Sequence, residues 1–500
     1  MKRAILFAAI VIFLLLISLV AALVISKRLK PFYVGVTFGG STAAEAKQLI
    51  DRVKDYTNLF VVQSGPLQSN ITELENTCDY AVKSGLNIIV YFGSYEGQRN
   101  TTAAFIDTAR ERWGSHFLGV YYGDEPSGKA LDVVMRLDNV PNLGNVTADQ
   151  YGVTISRTTG SIRTSKTFYF SPIFLGQISL EYSDSVSYNI TIYYPNDTYF
   201  PNGTIKVLKG YTDYDYDFKN CEDLTYFPNG TVTLHKGMLP SNPTYVVTDR
   251  GDISQFEPYQ QLWDSRPFQT MDDMPAVATA YVKTQQATTD WIRNQTDVKL
   301  FTSDYVLYWW DYQIGYDVVL AHLGWNNTVA QEIGLVRGAA SLQGKSWGVI
   351  LTWKYKEPPY LASGDEIYDQ MRTAYECGAE YVVVFNYAEN MTGPYGILQP
   401  EHFDALERFW RDVVQNPFVW HGTTKAEAAL VLPKDYGWGM RNPQDTIWGL
   451  WSPDNTSQQI WTQLQSKLQQ YGSKLDIVYD DPAYPVAGKY PNIIYWNQTS

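Results

Sequence analysis

The sequence predicts an α/β protein built on a (β/α)8 TIM-type barrel, with a β-rich insertion and a small C-terminal α/β domain, preceded by one transmembrane helix. Three observations lead there. Short apolar runs alternate with helical patterns four times early and four times late in the chain, which is the count for an eight-stranded barrel. Those runs are continuously apolar, as suits parallel strands buried on both faces, although a doubly wound open sheet shares that periodicity. Finally, Ala4–Ser26 runs without a charge between MKR and KRLK, longer than the apolar core of a secretory leader and long enough to cross a bilayer.

Residues 1–30 are therefore expected to be an uncleaved membrane anchor, with a cleaved leader as the alternative. Basic residues flank both of its ends, so the charge bias does not set its orientation. The glycosylation sequons do. Twelve asparagines, among them Asn70, Asn100, Asn294, Asn455 and Asn497, stand in Asn-x-Ser/Thr, which points to an extracytoplasmic, glycosylated body at the cell membrane.

Residues 31–139 hold the first half of the barrel. FYVGVTFGG (32–40) reads as a strand, and Thr42 with Glu45 forms a capping box that opens a helix through Tyr56. LFVVQSG (59–65) follows, then a helix opened by Thr72 and Glu75 and closed at Gly85. LNIIVYFGS (86–94), a helix over Ala103–Trp113 and FLGVYYGDEPSG (117–128) complete this half.

Residues 140–274 form a foreign block rich in Tyr, Thr and Asn-Gly. YFPNGTIKVLKG (199–210) returns as YFPNGTVTLHKG (226–237), so the block reads as stacked hairpins turning at Asn-Gly. If it enters before the fourth helix it belongs to the C-terminal mouth of the barrel; a helix at Lys129–Asn139 would direct it elsewhere. Residues 275–416 supply the second half, with strands in KLFTSD (299–304), YDVVLAHLG (316–324), WGVILTW (347–353) and AEYVVVFNY (379–387), the last preceded by a helix from Ser363 and Glu366 to Gly378. In 417–500, EAALVLP, LDIVYDD and NIIYWN read as strands around a helix from Ser457 to Tyr471, an accessory α/β layer.

Composition narrows the chemistry. A net charge of −13 excludes a nucleic-acid partner, which needs clustered Lys and Arg. Cys78, Cys221 and Cys377 are far apart and odd in number, so no disulfide framework is expected. His116, His235, His322, His402 and His421 show no paired spacing, and neither metal nor cofactor is expected. GKSWG (344–348) matches the Gly-x-Ser-x-Gly string but precedes a strand, the wrong context for a nucleophile elbow. The 38 Tyr and 15 Trp fit core filling and sugar-stacking surfaces equally.

In a (β/α)8 barrel the chemistry stands at the C-terminal ends of strands, and the fourth strand ends in Asp124 and Glu125, followed by Pro126. A glutamate desolvated there holds its proton more tightly and can deliver it to a leaving oxygen, with the proline stiffening the turn that aims it. The structural alternative is a capping Asp124 and a solvated Glu125. YYGDEP resembles the fourth-strand motif of clan-A-type glycoside hydrolases, Asn-Glu-Pro, and more closely the Asp-Glu-Pro variant of barrel proteins in the glycoside hydrolase superfamily. That resemblance covers the barrel and implies Glu125 as acid/base, with Asp124 in the place of an asparagine that contacts a sugar hydroxyl. A small α/β domain after such a barrel is likewise similar to β-galactosidase-like proteins. The clan's nucleophilic glutamate is missing at the end of the seventh strand, where Thr352 and Trp353 stand. Glu357, Glu389 and Asp304 are the candidates for a second carboxylate, and each can equally be a capping or surface acid. Tyr122, Trp353 and Tyr387 end strands on the same rim as candidate sugar platforms, with core packing the alternative. The expected function is hydrolysis of O-glycosidic bonds in a carbohydrate substrate. The rival is a non-catalytic glycan-binding or structural cell-surface glycoprotein on a glycosidase-like barrel.

Overall fold

The computed structural model describes residues 31–93, 99–128, 131, 272, 274–325, 327–387, 395–449, 451 and 453–498, and between 135 and 248 the backbone of strands alone. The apolar stretch Ala4–Ser26 lies outside the described residues. Among the described residues no helix is long and apolar enough to cross a membrane.

Eight parallel strands close into a barrel: β1 (Tyr33–Phe38), β2 (Leu59–Val62), β3 (Asn87–Phe92), β4 (Phe117–Tyr122), β5 (Leu300–Asp304), β6 (Val318–Leu323), β7 (Ser346–Leu351) and β8 (Tyr381–Val384). Each pairs with its neighbours in sequence, and β8 returns to β1 with Tyr33 opposite Tyr381. The open-sheet alternative is thereby excluded. Helices follow the strands in turn: α1 (Ala43–Val53), α2 (Ile71–Lys83), α3 (Arg99–Trp113), α4 (Met274–Arg293), α5 (Tyr308–Ile314), α6 (Val329–Gln343), α7 (Gly364–Cys377) and α8 (Pro400–Phe409).

The local signals act as their chemistry requires. Thr42 and Glu45 form the capping box of α1, and Ser363 accepts from the Glu366 N–H to open α7. For α2 the start moves: Asn70, not Thr72, is the cap, its side chain accepting from the Glu73 N–H. Asparagine serves this role as well as threonine does, and it stands earlier in the chain. GKSWG runs from the C-cap of α6 at Gly344 into β7.

Strand alternation divides the core in two. Leu59, Val61, Ile89, Tyr121, Phe301, Val318, Leu320, Ile350, Tyr381 and Val383 fill the barrel lumen. Their alternate neighbours, such as Phe60, Val120, Tyr122 and Val319, pack outward against the helices. Both faces are therefore buried, which is why the strands read as unbroken apolar runs.

The insertion leaves the barrel between β4 and α4, hence at the C-terminal rim. A strand already forms at Met135–Leu137, ahead of the expected boundary at 140, and it pairs with Val186–Tyr194. Extended backbone at these positions rules out a helix running from Lys129 through Asn139. The repeated segments provide strands Thr204–Thr212 and Val232–Lys236 of one antiparallel sheet, separated by Phe218–Tyr226. A second sheet comprises Asn145–Asp149, Gly152–Thr159 and Ile162–Tyr169.

The last unit is a parallel sheet of β9 (Ala428–Leu432), β10 (Leu475–Tyr479) and β11 (Asn492–Tyr495), with β9 central, and helix α9 (Asn455–Tyr471). It rests on α6 of the barrel. A Cβ on Gly338 would lie 2.8 Å from Val478 Cγ1 and 2.9 Å from the Ile477 carbonyl, so the helix backbone lies directly on β10 and only glycine fits. Arg337 on the same face binds Asp476 at 2.7 Å in the buried seam.

Candidate active site

Because side chains alternate along a strand, the last inward residue of each strand forms the floor of whatever opens at the barrel's C-terminal end. A cavity of about 290 Å³ opens there. Its floor and walls are Gln63 after β2, Tyr121 on β4, Ser303 on β5, His322 on β6, Ile350 and Thr352 at β7 and Phe385 after β8. Asp124 and Glu125 enter it from the loop after β4, and Trp353 and Tyr387 face it from the loops after β7 and β8.

A hydrogen-bond network joins four of these groups, Tyr121, Asp124, Ser303 and His322. Tyr121 donates its hydroxyl to Asp124 and also bonds Ser303 Oγ at 2.7 Å. Ser303 Oγ lies 3.1 Å from Asp124 Oδ1 and 2.7 Å from His322 Nε2. The other ring nitrogen of His322, Nδ1, stands 3.8 Å from Glu125 Oε1. Hydrogen bonds thus join Asp124 to a tyrosine, a serine and a histidine from three strands, and the far nitrogen of that histidine faces Glu125 at ion-pair distance. Burial, and next the Asp124 charge, push the Tyr121 hydroxyl well above its ordinary range, so it stays protonated and donates.

The loop that presents the acids is held in a demanding shape. Gly123 has φ +77°, and Glu125 itself is left-handed at φ +52°, a conformation that costs a non-glycine residue about 1–2 kcal/mol. The Glu125 N–H bonds the Ser303 carbonyl at 2.9 Å. Beyond it, Asp304 accepts from the backbone N–H groups of Ser127 at 2.6 Å, Gly128 at 2.9 Å and Tyr305 at 2.7 Å. Strain of this kind persists only where the surroundings over-determine it, and it concentrates at functional sites.

The candidates named from the sequence separate accordingly. Asp124, Glu125, Trp353 and Tyr387 come together in the cavity. Asp304 does not: it points outward from β5, fully buried, and serves as the anchor of the acidic loop. Burial, and next the charge of Asp311 on α5, raise its pKa well above the usual carboxylate range. Glu357 is an exposed loop residue away from the cavity lining. Glu389 lies outside the described residues. Tyr122 faces the helices, its ring 6.4 Å from that of Trp291 on α4 and its carbonyl accepting the Tyr316 hydroxyl at 2.8 Å. The reason is parity: in β4 it is Tyr121 that points inward.

Trp353, Phe385 and Tyr387 make a continuous aromatic wall. Phe385 and Tyr387 lie nearly parallel with centroids 6.1 Å apart, and Trp353 meets Phe385 edge-on at 5.4 Å. Tyr387 is 39% exposed, so its face is open to a ligand. The sequence reading missed Gln63, Tyr121, Ser303 and His322. Each is an inward position on, or just past, a strand buried on both faces, and the sequence carries no local signal of that parity. Among the described residues no group of three or more His, Cys, Asp or Glu is placed to hold a metal ion.

Fold and site together define a TIM-type barrel protein whose C-terminal rim gathers two carboxylates, a histidine and an aromatic wall around one cavity. No protein-family model matches the chain, and no curated protein matches it.

Proposed function

We propose that this protein hydrolyses O-glycosidic bonds, with Glu125 as general acid/base. The observation that carries the reading is Glu125 itself: strained, pinned through its backbone, 28% exposed at its side chain and facing a cavity walled by Trp353 and Tyr387. Glu125 delivers its proton to the glycosidic oxygen as the bond to the anomeric carbon breaks, and a water molecule then adds to that carbon and gives its proton back to the Glu125 carboxylate. Asp124, its Oδ1 fixed by Tyr121 and Ser303, accepts a sugar hydroxyl and offsets positive charge developing on the ring. The aromatic wall packs on the sugar's C–H face. A cavity of about 290 Å³ sits at the small end of ligand sites and suits one sugar residue at the end of a glycan.

We place the body outside the cell, carried on the membrane by residues 4–26. Asn70, Asn100, Asn294, Asn455 and Asn497 are all exposed, as glycosylation acceptors must be.

A second reading, a glycan-binding protein without turnover, is favoured by one observation. Among the described residues the only carboxylates lining the cavity are the adjacent Asp124 and Glu125, with none facing them across a bound sugar. Assaying the full chain and Glu125→Gln on a glycan panel separates the two. The hydrolase reading expects a loss of about 10²–10⁴-fold in turnover with binding retained. Glycan binding without turnover by the unmutated chain selects the second reading, and neither binding nor turnover on any glycan discards both.

A further inference from the structure

The opposite end of the barrel carries features that hydrolysis does not use. Around the N-terminal ends of β1, β7 and β8 lies a broad cavity of about 1,110 Å³, bordered by Pro31, Lys345, Glu380, Trp420, Lys425 and Lys489. The segment joining α8 to β9 forms one wall, and from it Phe418 projects at 88% exposure beside Trp420 at 37%. This is no slack loop that could fold its rings inward. Asn416 Oδ1 accepts the Phe418 N–H at 3.0 Å, His421 Nε2 bonds the Ala379 carbonyl at 2.7 Å, and the N–H groups of Gly422 and Thr424 bond the carbonyls of Tyr375 and Glu376 at 3.0 and 2.8 Å. Phe418 is held out toward the surroundings, and Trp420 stands partly exposed at the cavity edge beside it.

Pro31 borders the same cavity and is the point where the chain arrives from its apolar N-terminal stretch. Only Lys27, Arg28, Leu29 and Lys30 separate Ser26 from it, a tether of at most about 15–18 Å when extended. Any bilayer crossed by residues 4–26 is therefore close to this end. The local charge also runs against that of the whole chain: Lys425 and Lys489 are exposed here, and Lys27, Arg28 and Lys30 directly precede Pro31 in sequence, in a protein of net charge −13. Interfacial aromatic rings with basic residues beside them are the composition that rests at a lipid headgroup layer with anionic character.

We propose that the N-terminal end of the barrel is a membrane-contact face, with Phe418 and Trp420 seated in the headgroup region of a bilayer and Lys425 and Lys489 meeting anionic lipid. The inference rests on the reading that residues 4–26 span that bilayer. Its consequence is orientation: the cavity holding Glu125 opens at the far end of the strands, directed away from the lipid. Substrate then comes from the surrounding medium or a neighbouring surface layer, not from glycolipids in the same leaflet.

The test uses the full chain in vesicles of phosphatidylcholine and phosphatidylglycerol, with Cys221→Ser so that the buried Cys78 and Cys377 are the remaining native thiols. An environment-sensitive fluorophore is attached at Phe418→Cys or, near the opposite mouth, at the exposed Lys356→Cys. A spin-labelled lipid quenches the probe at 418 several-fold more than at 356 if the face contacts the bilayer. Equal quenching in a chain that floats with the vesicles through an alkaline wash overturns the contact face and leaves the span intact. A chain that the alkaline wash strips from the vesicles overturns both.

Discussion

Replacing Arg337 with leucine tests how the C-terminal unit is held to the barrel. Arg337 is 7% exposed and its partner Asp476 1%. Its Nε donates to Asp476 Oδ1 at 2.7 Å, and Nη2 donates to the Ser473 carbonyl at 2.8 Å and to that of Leu475 at 3.3 Å. The other oxygen of Asp476 accepts the Tyr490 hydroxyl at 3.0 Å. Arg337→Leu leaves Asp476 buried with that single neutral partner, and stranding a buried charge costs about 3–5 kcal/mol. At about 2.1 cal/mol/K of unfolding entropy per residue, a 500-residue chain that melts in one step loses about 1 °C per kcal/mol, hence about 3–5 °C. Arg337→Leu with Asp476→Leu should recover most of the loss, because an apolar pair needs no desolvation of charge. Acid should help the single variant as well. Burial raises the Asp476 pKa while Arg337 pulls it down, with the net effect upward. A raised folded pKa favours the folded state at low pH, so without Arg337 the deficit shrinks as pH falls from 7 toward 5. Melting curves of wild type, both single variants and the double variant across that range decide the matter. The reasoning fails if Arg337→Leu costs under about 1 kcal/mol, where breaking a buried pair costs several. It also fails if the double variant is no better than the single, or if acid deepens the deficit.

Three other perturbations bear on the site. Tyr121→Phe removes the hydroxyl shared by Asp124 and Ser303 and should cost about 1.5–3 kcal/mol, with weakened glycan binding, whereas Tyr122→Phe should leave binding unchanged; equal effects in a binding titration would refute the inward–outward assignment of β4. Glu125→Gly relieves a left-handed glutamate, a gain of about 1–2 kcal/mol less about 0.5–1 for glycine's entropy, so the variant should be as stable as wild type or more so while losing turnover; a clear drop in melting temperature would contradict the strain. Burial pushes Asp311 up to about 8, where the Ser127 hydroxyl bonds it at 2.5 Å. Its contribution is complete below its unfolded value and is lost as pH rises toward 8, so Asp311→Asn should gain on wild type by up to about 1.4 kcal/mol per pH unit between pH 5 and 7. Parallel stability–pH curves would dismiss that account.

Much of the scaffold was legible in the chain. The eight strands, the caps at Thr42 and Ser363, the closing Gly85 and Gly378 and the acidic end of β4 all rest on interactions within a few residues, so local sequence suffices to state them. Parity was harder, because in a strand buried on both faces Tyr121 and Tyr122 are equally apolar in context. Only closure of the barrel tells which one faces the lumen.

Local patterning was enough to give the eight barrel strands, their order, and the pair of acids after the fourth strand. Tertiary structure alone decided that Ser303 and His322, from β5 and β6, would join those acids, that Asp304 would turn outward to hold the loop from beneath, and that Phe418 would sit at the end of the barrel opposite the cavity. These relations are set by ring closure and strand register, which bring together residues more than three hundred positions apart, such as Tyr33 and Tyr381. No window of neighbouring residues contains that information.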